Sequence, residues 1–416
     1  MFLTLATLAT PTAPADPVFA SWGDVFRAWG GIVRQFWLVA LAAFLVALIV
    51  TPIVRKMALS RGIVDQPDEF LKPHGHPIPY LGGVAIFAGW ATAILLALWM
   101  TNTMVTSWVM VGVALAGFAT MLIGLFDDLR VMPPLVKLAC NIGVAVILIC
   151  LGIGDDLINV VTRYSGMQFS QEDRWLELMY SVPVTIVIVV AACNATNLID
   201  GLDGLCSGVL GIISIGFVIL AVHLRVVYPS SPLGDDRVVL AMGMLGAALG
   251  FLPYNVNPAK IFMGDAGSML LGFNAAVLLL MFGEQRIVRW MIGATIIFGL
   301  PVADMLLAMA RRWRNGRPIM IGDRSHYYDQ LRDRGLSVRR VAAISYVLAL
   351  AFVIVGTSVI FIRTRYAVLV FMLTIGAVLA AIWRFNMAGI EKETPATHDR
   401  RKPFSPPPPA NRRSTT

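Results

Sequence analysis

Four short polar stretches in a largely apolar chain hold the side chains that can do chemistry. They are "LIGLFDDLR" with Asp127 and Asp128, "NATNLIDGLDGL" over residues 194–205, "NVNPAKIFMGDAGS" with Asp265, and "GDRSHYYDQL" with His326. Carboxylates beside an apolar region are costly unless a cation or hydrogen bonds hold them, and acidic residues in membrane segments are candidate functional residues. The three aspartates supply hard oxygen ligands, which suit Mg²⁺ better than zinc. Magnesium in turn indicates a phosphate-bearing substrate.

The stretch over residues 194–205 has a spacing that suits a polar ligand. If the helix continues to Leu198, Asn194 and Asn197 share one face, and Asp200 follows near the helix end. The glycines that come next let the backbone turn and return Asp203 to the same vicinity. Such a strip offers donors and acceptors to a nucleotide. For Asn194, a hydrogen bond between helices of the bundle is an equal alternative.

Membrane-spanning helices must position these side chains. The chain has 416 residues, 57 % of them hydrophobic and 14 % charged, with a mean hydropathy of +0.75, and a soluble core of this size cannot bury so much apolar surface. The apolar runs lack the alternation of a β-barrel, so α-helices must satisfy the backbone in lipid. We predict an all-α, polytopic bundle of eleven transmembrane helices, over residues 35–54, 80–99, 106–125, 135–152, 180–199, 204–224, 237–254, 267–283, 288–310, 341–361 and 366–383.

The two ends of the chain differ from this apolar middle. Residues 1–34 contain a short apolar run followed closely by prolines, and they are expected to form an N-terminal arm rather than a cleaved signal. Residues 384–416 are rich in Pro, Arg and Ser and are expected to be a disordered cytoplasmic tail. Residues 35–383 are the predicted transmembrane domain.

The basic residues predict the orientation. With the N-terminus outside, 23 of the 33 Lys and Arg residues lie in or beside inner segments. This excess predicts a cytoplasmic C-terminus, and it explains most of the net charge of +8 without a nucleic-acid partner. Helix parity then places all four polar stretches on the cytoplasmic side, together with Lys72 from the loop after the first span.

The polar stretches resemble the motifs of the polyprenyl-phosphate N-acetylhexosamine-1-phosphate transferases. The matching segments are "GLFDDL", "NATNLIDGLDGL", "NPAKIFMGDAGS" and "GDRSH", in order and at span ends, and the resemblance covers residues 40–340. This family includes the phospho-N-acetylmuramoyl-pentapeptide transferase of peptidoglycan synthesis and the enzymes that begin O-antigen and teichoic acid lipids. Its span count also agrees with the apolar runs.

The resemblance implies a phosphoryl transfer at the cytoplasmic face of the bacterial cytoplasmic membrane. An N-acetylhexosamine-1-phosphate group, expected to be GlcNAc-1-phosphate, would pass from a UDP-sugar to undecaprenyl phosphate and release UMP, as the first membrane step of cell-envelope polysaccharide synthesis. Both substrates are anionic, so a metal and basic groups must neutralise charge. The implied cofactor is Mg²⁺, with Mn²⁺ as an alternative, and the implied assembly is a homodimer.

The resemblance also implies roles for individual residues. Asp265 corresponds to the metal ligand, with Asp128 assisting at the metal, and Asp127 deprotonates or positions the lipid phosphate. A phosphate monoester is already largely ionised at neutral pH, which favours the positioning role. His326 completes the catalytic set near the diphosphate or sugar. The implied substrate-binding residues are Lys72, Asn194, Asn197, Asp200, Asp203, Asn255, Phe262 and Arg324, with Phe262 stacking on the base.

Two local features stay open at the level of sequence. Residues 327–329 read Tyr-Tyr-Asp where family members often have a run of histidines after the position of His326. Asp304, near the inner end of the ninth span, can cap the bundle, pair with Arg311 or approach the site. Neither feature changes the implied reaction class, but the first weakens any inference about the sugar.

Two alternative functions are considered. The pentapeptide transferase of peptidoglycan synthesis is disfavoured by the short "DRSH" form and by "NLIDGLDGL", which are closer to the branch that uses simple UDP-N-acetylhexosamines. A membrane transporter also carries acidic residues in its spans, but it places them near the membrane centre. Here the acidic residues cluster at one face, and the two halves of the sequence do not repeat each other.

Overall fold

Helices form nearly all of the structure. The computed structural model describes residues 22–65, 77–100, 104–165, 173–284, 287–318 and 326–389, so most of the expected arm and tail lies outside the described residues. The helices are α1 (Trp22–Ser60), α2 (Gly82–Met100), α3 (Met104–Leu129), α4 (Pro134–Cys150), α5 (Ile158–Ser165), α6 (Arg174–Ile199), α7 (Leu205–Val227), α8 (Gly234–Asn255), α9 (Gly264–Gly283), α10 (Val288–Ile297), α11 (Gly299–Arg314), α12 (Tyr327–Asp333), α13 (Val338–Ser358) and α14 (Thr364–Arg384). A 3₁₀ turn (Val359–Phe361) precedes α14, and β1 (Val64–Asp65) pairs antiparallel with β2 (Ile78–Pro79).

All eleven predicted apolar runs lie in helices. Among the described residues, nine helices are long and apolar enough to cross a membrane, and α10 with α11, bent by 68° around Phe298, form a tenth as a broken span. The remaining run is α4, which has 17 residues and begins with Pro134, a residue suited to a first helical position. The polytopic all-α membrane fold is therefore confirmed. The count of eleven spans and the orientation stay predictions.

The first helix begins earlier than its apolar run. α1 starts at Trp22, so residues 22–34, which were expected to belong to the N-terminal arm, are helical. Charged residues lower the mean hydropathy of this segment, so the apolar pattern of the sequence does not include it in the first span. Packing retains it in the helix, because Trp29 donates a hydrogen bond to Nδ1 of His223 at 3.2 Å.

The other helices pack around α9. All of its apolar window is buried, and α2, α3, α6 and α10 lie against it. Small side chains permit this approach: a Cβ at Gly272 would lie 2.6 Å from the carbonyl oxygen of Ala192 and 2.8 Å from Cα of Cys193, both in α6. The close packing brings the N-terminus of α9, which carries Asp265, against the ends of α3 and α6.

Glycines also determine how α8 packs against α1. Gly246 and Gly250 face the backbone of α1, and a Cβ at Gly246 would lie 2.7 Å from Cβ of Ala43 and 2.9 Å from the backbone nitrogen of Phe44. These glycines therefore serve close helix packing. The packing aligns the end of α8 with the site described below.

We expect Gly246→Ala to destabilise the bundle, because the added methyl group would meet backbone atoms of α1 that cannot move independently. The expected cost is about 1–3 kcal/mol, measured as a lower thermal midpoint of the detergent-purified protein. Gly143→Ala in α4 is the matched control, because no atom lies within 4 Å of the added Cβ. Equal midpoints for the two variants would contradict the packing argument.

Candidate active site

Four side chains from four helices meet at one end of the bundle and form a charge centre, defined as Asp127, Lys137, Asn197 and Asp265. They lie in the last turn of α3, the first turn of α4, the last turn of α6 and the first turn of α9. Nζ of Lys137 donates to Asp127 at 2.9 Å and to Oδ1 of Asn197 at 3.3 Å, and it also contacts Asp265. Nδ2 of Asn197 donates to Asp265 at 2.7 Å. One ammonium group is therefore shared by two carboxylates.

Asp128 points away from Lys137 and caps α9. Its carboxylate accepts the backbone N–H of Asp265 at 2.8 Å and that of Ala266 at 3.1 Å. Gly264 has φ +66°, and a Cβ there would lie 2.8 Å from Cγ of Asp128, so glycine is needed for this approach. A carboxylate is favourable at the positive end of a helix. Asp128 thus holds the backbone of Asp265 in place.

Asp200 is a half-buried carboxylate just after the end of α6. No described residue donates a hydrogen bond to it. Burial, together with repulsion from Asp265, Asp128 and Asp203, raises the pKa of Asp200 well above its ordinary value. A carboxyl group in this setting gains most from donors supplied by a ligand.

Asp203 and its neighbours hold the loop over residues 256–263, which joins α8 to α9. Oδ2 of Asp203 accepts a hydrogen bond from Nδ2 of Asn257 at 2.8 Å and from the backbone N–H of Ala259 at 3.0 Å. The carboxylate predicted to line a nucleotide site is therefore engaged with the backbone and side chain of this loop. Asp203 would therefore act on a ligand mainly by positioning the loop over residues 256–263.

Asn255 has a similar inward-facing role. The side chain is buried, with Oδ1 accepting from the hydroxyl of Ser207 at 2.7 Å and from the N–H of Gly204 at 3.2 Å. Its Nδ2 donates to the carbonyl oxygen of Ile261 at 3.2 Å. Asn255 therefore ties the start of α7 to the same loop, and its amide is already hydrogen-bonded within the protein.

The backbone of Phe262 connects this loop to the segment before α2. Its N–H donates to the carbonyl oxygen of Pro79 at 2.8 Å, and its carbonyl oxygen accepts from the N–H of Gly82 at 2.9 Å. The ring is half-buried. Lys72 lies outside the described residues, in the segment that precedes β2.

His326 belongs to a buried polar cluster at the start of α12. Its Nδ1 lies 2.8 Å from Oδ2 of Asp304, and Oδ1 of Asp304 accepts the backbone N–H of Tyr327 at 2.9 Å. The ring of Tyr328 stacks on the imidazole, with centroids 5.2 Å apart and planes 5° from parallel. The Tyr328 hydroxyl donates to the carbonyl oxygen of Leu198 at 2.9 Å. The fourth polar stretch therefore contacts the second.

Tyr327 and Tyr328 fill space inside the protein. Burial raises the pKa of both phenols above the ordinary value, so both hydroxyls remain protonated donors. The hydroxyl of Tyr327 donates to Ser345 at 2.7 Å. The positions where a histidine run was expected thus carry packing residues.

The structure brings residues of all four stretches together, as helix parity predicts. Sequence reasoning counted Lys137 only as a basic residue, although a lysine inside an apolar run is itself a signal of function. Asn194 donates to the carbonyl oxygen of Val190 in its own helix at 2.7 Å, so one of its two alternatives, a hydrogen bond between helices, is absent among the described residues. Arg324 lies outside them.

The charge centre has donors that suit Mg²⁺. Asp265, Asp127 and the adjoining Asp128 offer carboxylate oxygens, although no group of three or more acidic, His or Cys side chains among the described residues is arranged to hold a metal ion alone. Mg²⁺ commonly binds one or two carboxylates together with substrate phosphates. The Lys137 ammonium already stands beside Asp265 as a cation. The residues therefore fit Mg²⁺ held jointly by Asp265 and a phosphate.

Comparison with known proteins identifies the family. Residues 110–283, which include the whole charge centre, match the model of glycosyl transferase family 4. A probable undecaprenyl-phosphate N-acetylglucosaminyl 1-phosphate transferase of Bacillus subtilis is 32 % identical over 75 % of this chain and 81 % of its own length. The chain belongs to glycosyl transferase family 4. It is therefore an enzyme, a transferase, as the motifs predict.

Other relatives of this family 4 transferase extend the comparison. The decaprenyl-phosphate N-acetylglucosaminephosphotransferase of Mycolicibacterium smegmatis is 33 % identical over 74 % of this chain and 78 % of its own length. A phospho-N-acetylmuramoyl-pentapeptide-transferase of Chlorobium luteolum is 27 % identical over 78 % of this chain and 92 % of its own length. The resemblance to polyprenyl-phosphate sugar-1-phosphate transferases is confirmed.

We expect Lys137→Met to destabilise the protein, because Asp127 and Asp265 would lose the cation that they share. Breaking a buried ion pair costs about 3 kcal/mol, which would lower the thermal midpoint of the purified transferase. Lys137→Arg keeps the charge and is the control. Adding Asp127→Asn to Lys137→Met should recover part of the loss. If the Lys137→Met variant were as stable as the wild type, the geometry in which two carboxylates share one cation would be contradicted.

Proposed function

We propose that this transferase moves GlcNAc-1-phosphate from UDP-GlcNAc to a polyprenyl phosphate, taken to be undecaprenyl phosphate, and releases UMP. The observation that carries the proposal is the charge centre. A lysine, an asparagine and two aspartates from distant parts of the chain converge at the ends of four apolar helices. At such a place a lipid phosphate arriving from the bilayer meets a nucleotide arriving from water.

The relatives support GlcNAc as the sugar. The two that are 32 % and 33 % identical are named for N-acetylglucosamine transfer, whereas the N-acetylmuramoyl-pentapeptide relative is 27 % identical. Transfer of the muramoyl-pentapeptide phosphate is the second candidate, favoured only by that more distant relative.

The proposed reaction exchanges one phosphorus–oxygen bond for another. An oxygen of the lipid phosphate attacks the phosphorus that carries the sugar, and the bond from this phosphorus to the oxygen bridging to the UMP phosphate breaks. UMP leaves with that oxygen. Lys137 neutralises phosphate charge at the centre, and Asp127 orients Lys137. Because the lipid phosphate is already largely ionised at neutral pH, Asp127 serves positioning rather than deprotonation.

The metal of this reaction would bind at Asp265, with Mg²⁺ preferred and Mn²⁺ as an alternative. When bound, the ion would stabilise the negative charge on the transferring phosphoryl group. Asp128 supports this site by fixing the backbone of Asp265 and Ala266. Asn197 also donates to Asp265 and would keep its carboxylate oriented for the ion.

The nucleotide would lie along the second and third polar stretches. Among the described residues no group donates to Asp200, and its carboxylate is assigned to a donor of the nucleoside. Asn194 lies one turn before Asn197 on α6, and Phe262 is assigned to the base from the family resemblance. Asp203 and Asn255 would shape this region through the loop over residues 256–263. From the family resemblance, Lys72 is assigned to the nucleotide, and Arg324 and His326 are assigned to the diphosphate or sugar.

The orientation follows from the excess of basic residues on one side. We infer that the N-terminus is outside, that the site faces the cytoplasm, and that the protein is in the bacterial cytoplasmic membrane. The substrates agree with this, since nucleotide sugars are cytoplasmic. Homodimerisation remains a family-based prediction.

The first experiment measures UMP release by purified protein with Mg²⁺, undecaprenyl phosphate and one of three donors. UDP-GlcNAc is expected to support lipid-dependent release. UMP release with only UDP-N-acetylgalactosamine or only UDP-muramoyl-pentapeptide would show that the transferred sugar is not GlcNAc. UMP release without the lipid would indicate hydrolysis. No release with any donor would contradict the proposal.

Asp265→Asn should reduce turnover by about 100-fold or more, because it removes a charge that stabilises the transferring phosphate. The protein should stay folded, as judged by its elution and thermal midpoint in detergent. Asp235→Asn is the control, because this residue pairs with Arg225 at 2.6 Å at the opposite end of α8. Near-normal turnover of the Asp265 variant would refute the metal assignment.

Asp200→Asn should raise the KM for UDP-GlcNAc about tenfold, because a donor on the nucleotide favours the ionised form of the carboxyl group and an amide offers only a neutral acceptor. The KM for undecaprenyl phosphate should stay unchanged. Initial-rate measurements with each substrate varied separately test both statements. A change confined to the KM for undecaprenyl phosphate would show that Asp200 binds the lipid acceptor and not the nucleotide.

A further inference from the structure

A buried aspartate and histidine form a pair outside the charge centre, between α11 and the start of α12. Asp304 and His326 are 2 % and 4 % exposed, so both side chains are buried. Oδ2 of Asp304 lies 2.8 Å from Nδ1 of His326, and Oδ1 accepts the N–H of Tyr327 at 2.9 Å. Both carboxylate oxygens are thus used in fixing the residues that begin α12.

The contact determines which nitrogen of the imidazole carries the proton. A carboxylate can only accept a hydrogen bond, so Nδ1 facing Asp304 must carry hydrogen. In a neutral ring this leaves the lone pair on Nε2. Among the described residues, Nε2 of His326 has no hydrogen-bond partner, so it is the nitrogen left available to a ligand.

A second contact fixes the plane of the imidazole. Tyr328 stacks on it with planes 5° from parallel, and the Tyr328 hydroxyl is bound to the carbonyl oxygen of Leu198 at 2.9 Å. A Cβ at Gly201 would overlap the Tyr328 ring, so the glycine of "NLIDGLDGL" makes room for it. The ring of His326 is therefore oriented relative to Asp200, which precedes Gly201.

We propose that Asp304 is a positioning residue of the transfer reaction, and that it acts through His326. Its carboxylate keeps the proton on Nδ1 and presents Nε2 to the substrate that occupies the region of Asp200. Capping the N–H of Tyr327 would need only a neutral oxygen, such as that of asparagine. The second oxygen and the negative charge are required only for the imidazole.

The proposal rests on the proposed function for its kinetic part alone. The tautomer of His326 is a property of the folded protein and can be measured without any substrate. The chain has five histidines, so the signal of His326 in ¹⁵N-histidine-labelled protein can be assigned by its disappearance in His326→Gln. The spectra are recorded at several pH values, because the ¹⁵N shifts of the two ring nitrogens distinguish the two neutral tautomers from the doubly protonated ring.

The wild-type spectrum is expected to show a protonated Nδ1 and an unprotonated Nε2. In Asp304→Asn, the amide oxygen can keep the bond to Tyr327 while the amide nitrogen faces Nδ1 as a donor, so the proton should move to Nε2. Asp304→Glu restores a carboxylate and should restore the Nδ1–H form at least in part. A wild-type spectrum with the proton on Nε2 would overturn the proposal, whether or not the variants fold.

The kinetic arm separates positioning from packing. Asp304→Asn should lower kcat about 10- to 100-fold, the range for residues that orient a functional histidine, with the KM for UDP-GlcNAc changed less than about threefold. Ser345→Ala is the matched control, because it removes the bond to Tyr327 in the same cluster and leaves His326 untouched. Normal kcat in Asp304→Asn, beside an inactive His326→Gln, would refute the positioning role. If the wild type transfers no sugar at all, the proposed function fails, and the spectra still decide the tautomer.

Discussion

One ammonium group shared by two carboxylates is the interaction on which the site depends. Lys137 joins Asp127 to Asp265, and each of the three comes from a different helix end. Near an apolar membrane region, removing the ammonium would leave two close carboxylates without a cation, so the relative positions of α3, α4 and α9 are coupled to this ion pairing. One ammonium and two carboxylates leave a net negative charge, so phosphate groups would need a further cation, such as Mg²⁺, at this centre.

The packing of α9 makes this ion pairing possible. Its small residues allow α2 and α6 to approach closely, and Gly264 admits the carboxylate of Asp128 to the helix N-terminus. Close packing of small residues therefore determines where Asp265 lies relative to its hydrogen-bond partners. In lipid, where burial of apolar surface gives little force between helices, such close contacts between small residues are a principal source of specificity.

The polar residues of the motifs divide into two groups according to their partners. Asp128, Asp203 and Asn255 are bound to backbone groups and build the framework of the loop and helix ends. Asp200 and Nε2 of His326 have no hydrogen-bond partner among the described residues. The motifs therefore contain residues of both groups. A motif alone overstates the number of substrate contacts, because several of its residues bind other parts of the protein.

The sequence by itself determined the class of fold, the helical position of every predicted span and the gathering of the polar stretches at one end, because hydropathy and helix parity are local or additive properties. It did not reveal that Lys137 bridges residues as far as 128 positions away, that Asp304 pairs with His326 rather than Arg311, or that Asn255 faces inward. It did not reveal that α1 extends back through residues 22–34, because charged residues lower the hydropathy of this segment. Those facts depend on which side chains meet after the helices pack, and helix contacts between distant segments are decided only by the tertiary structure.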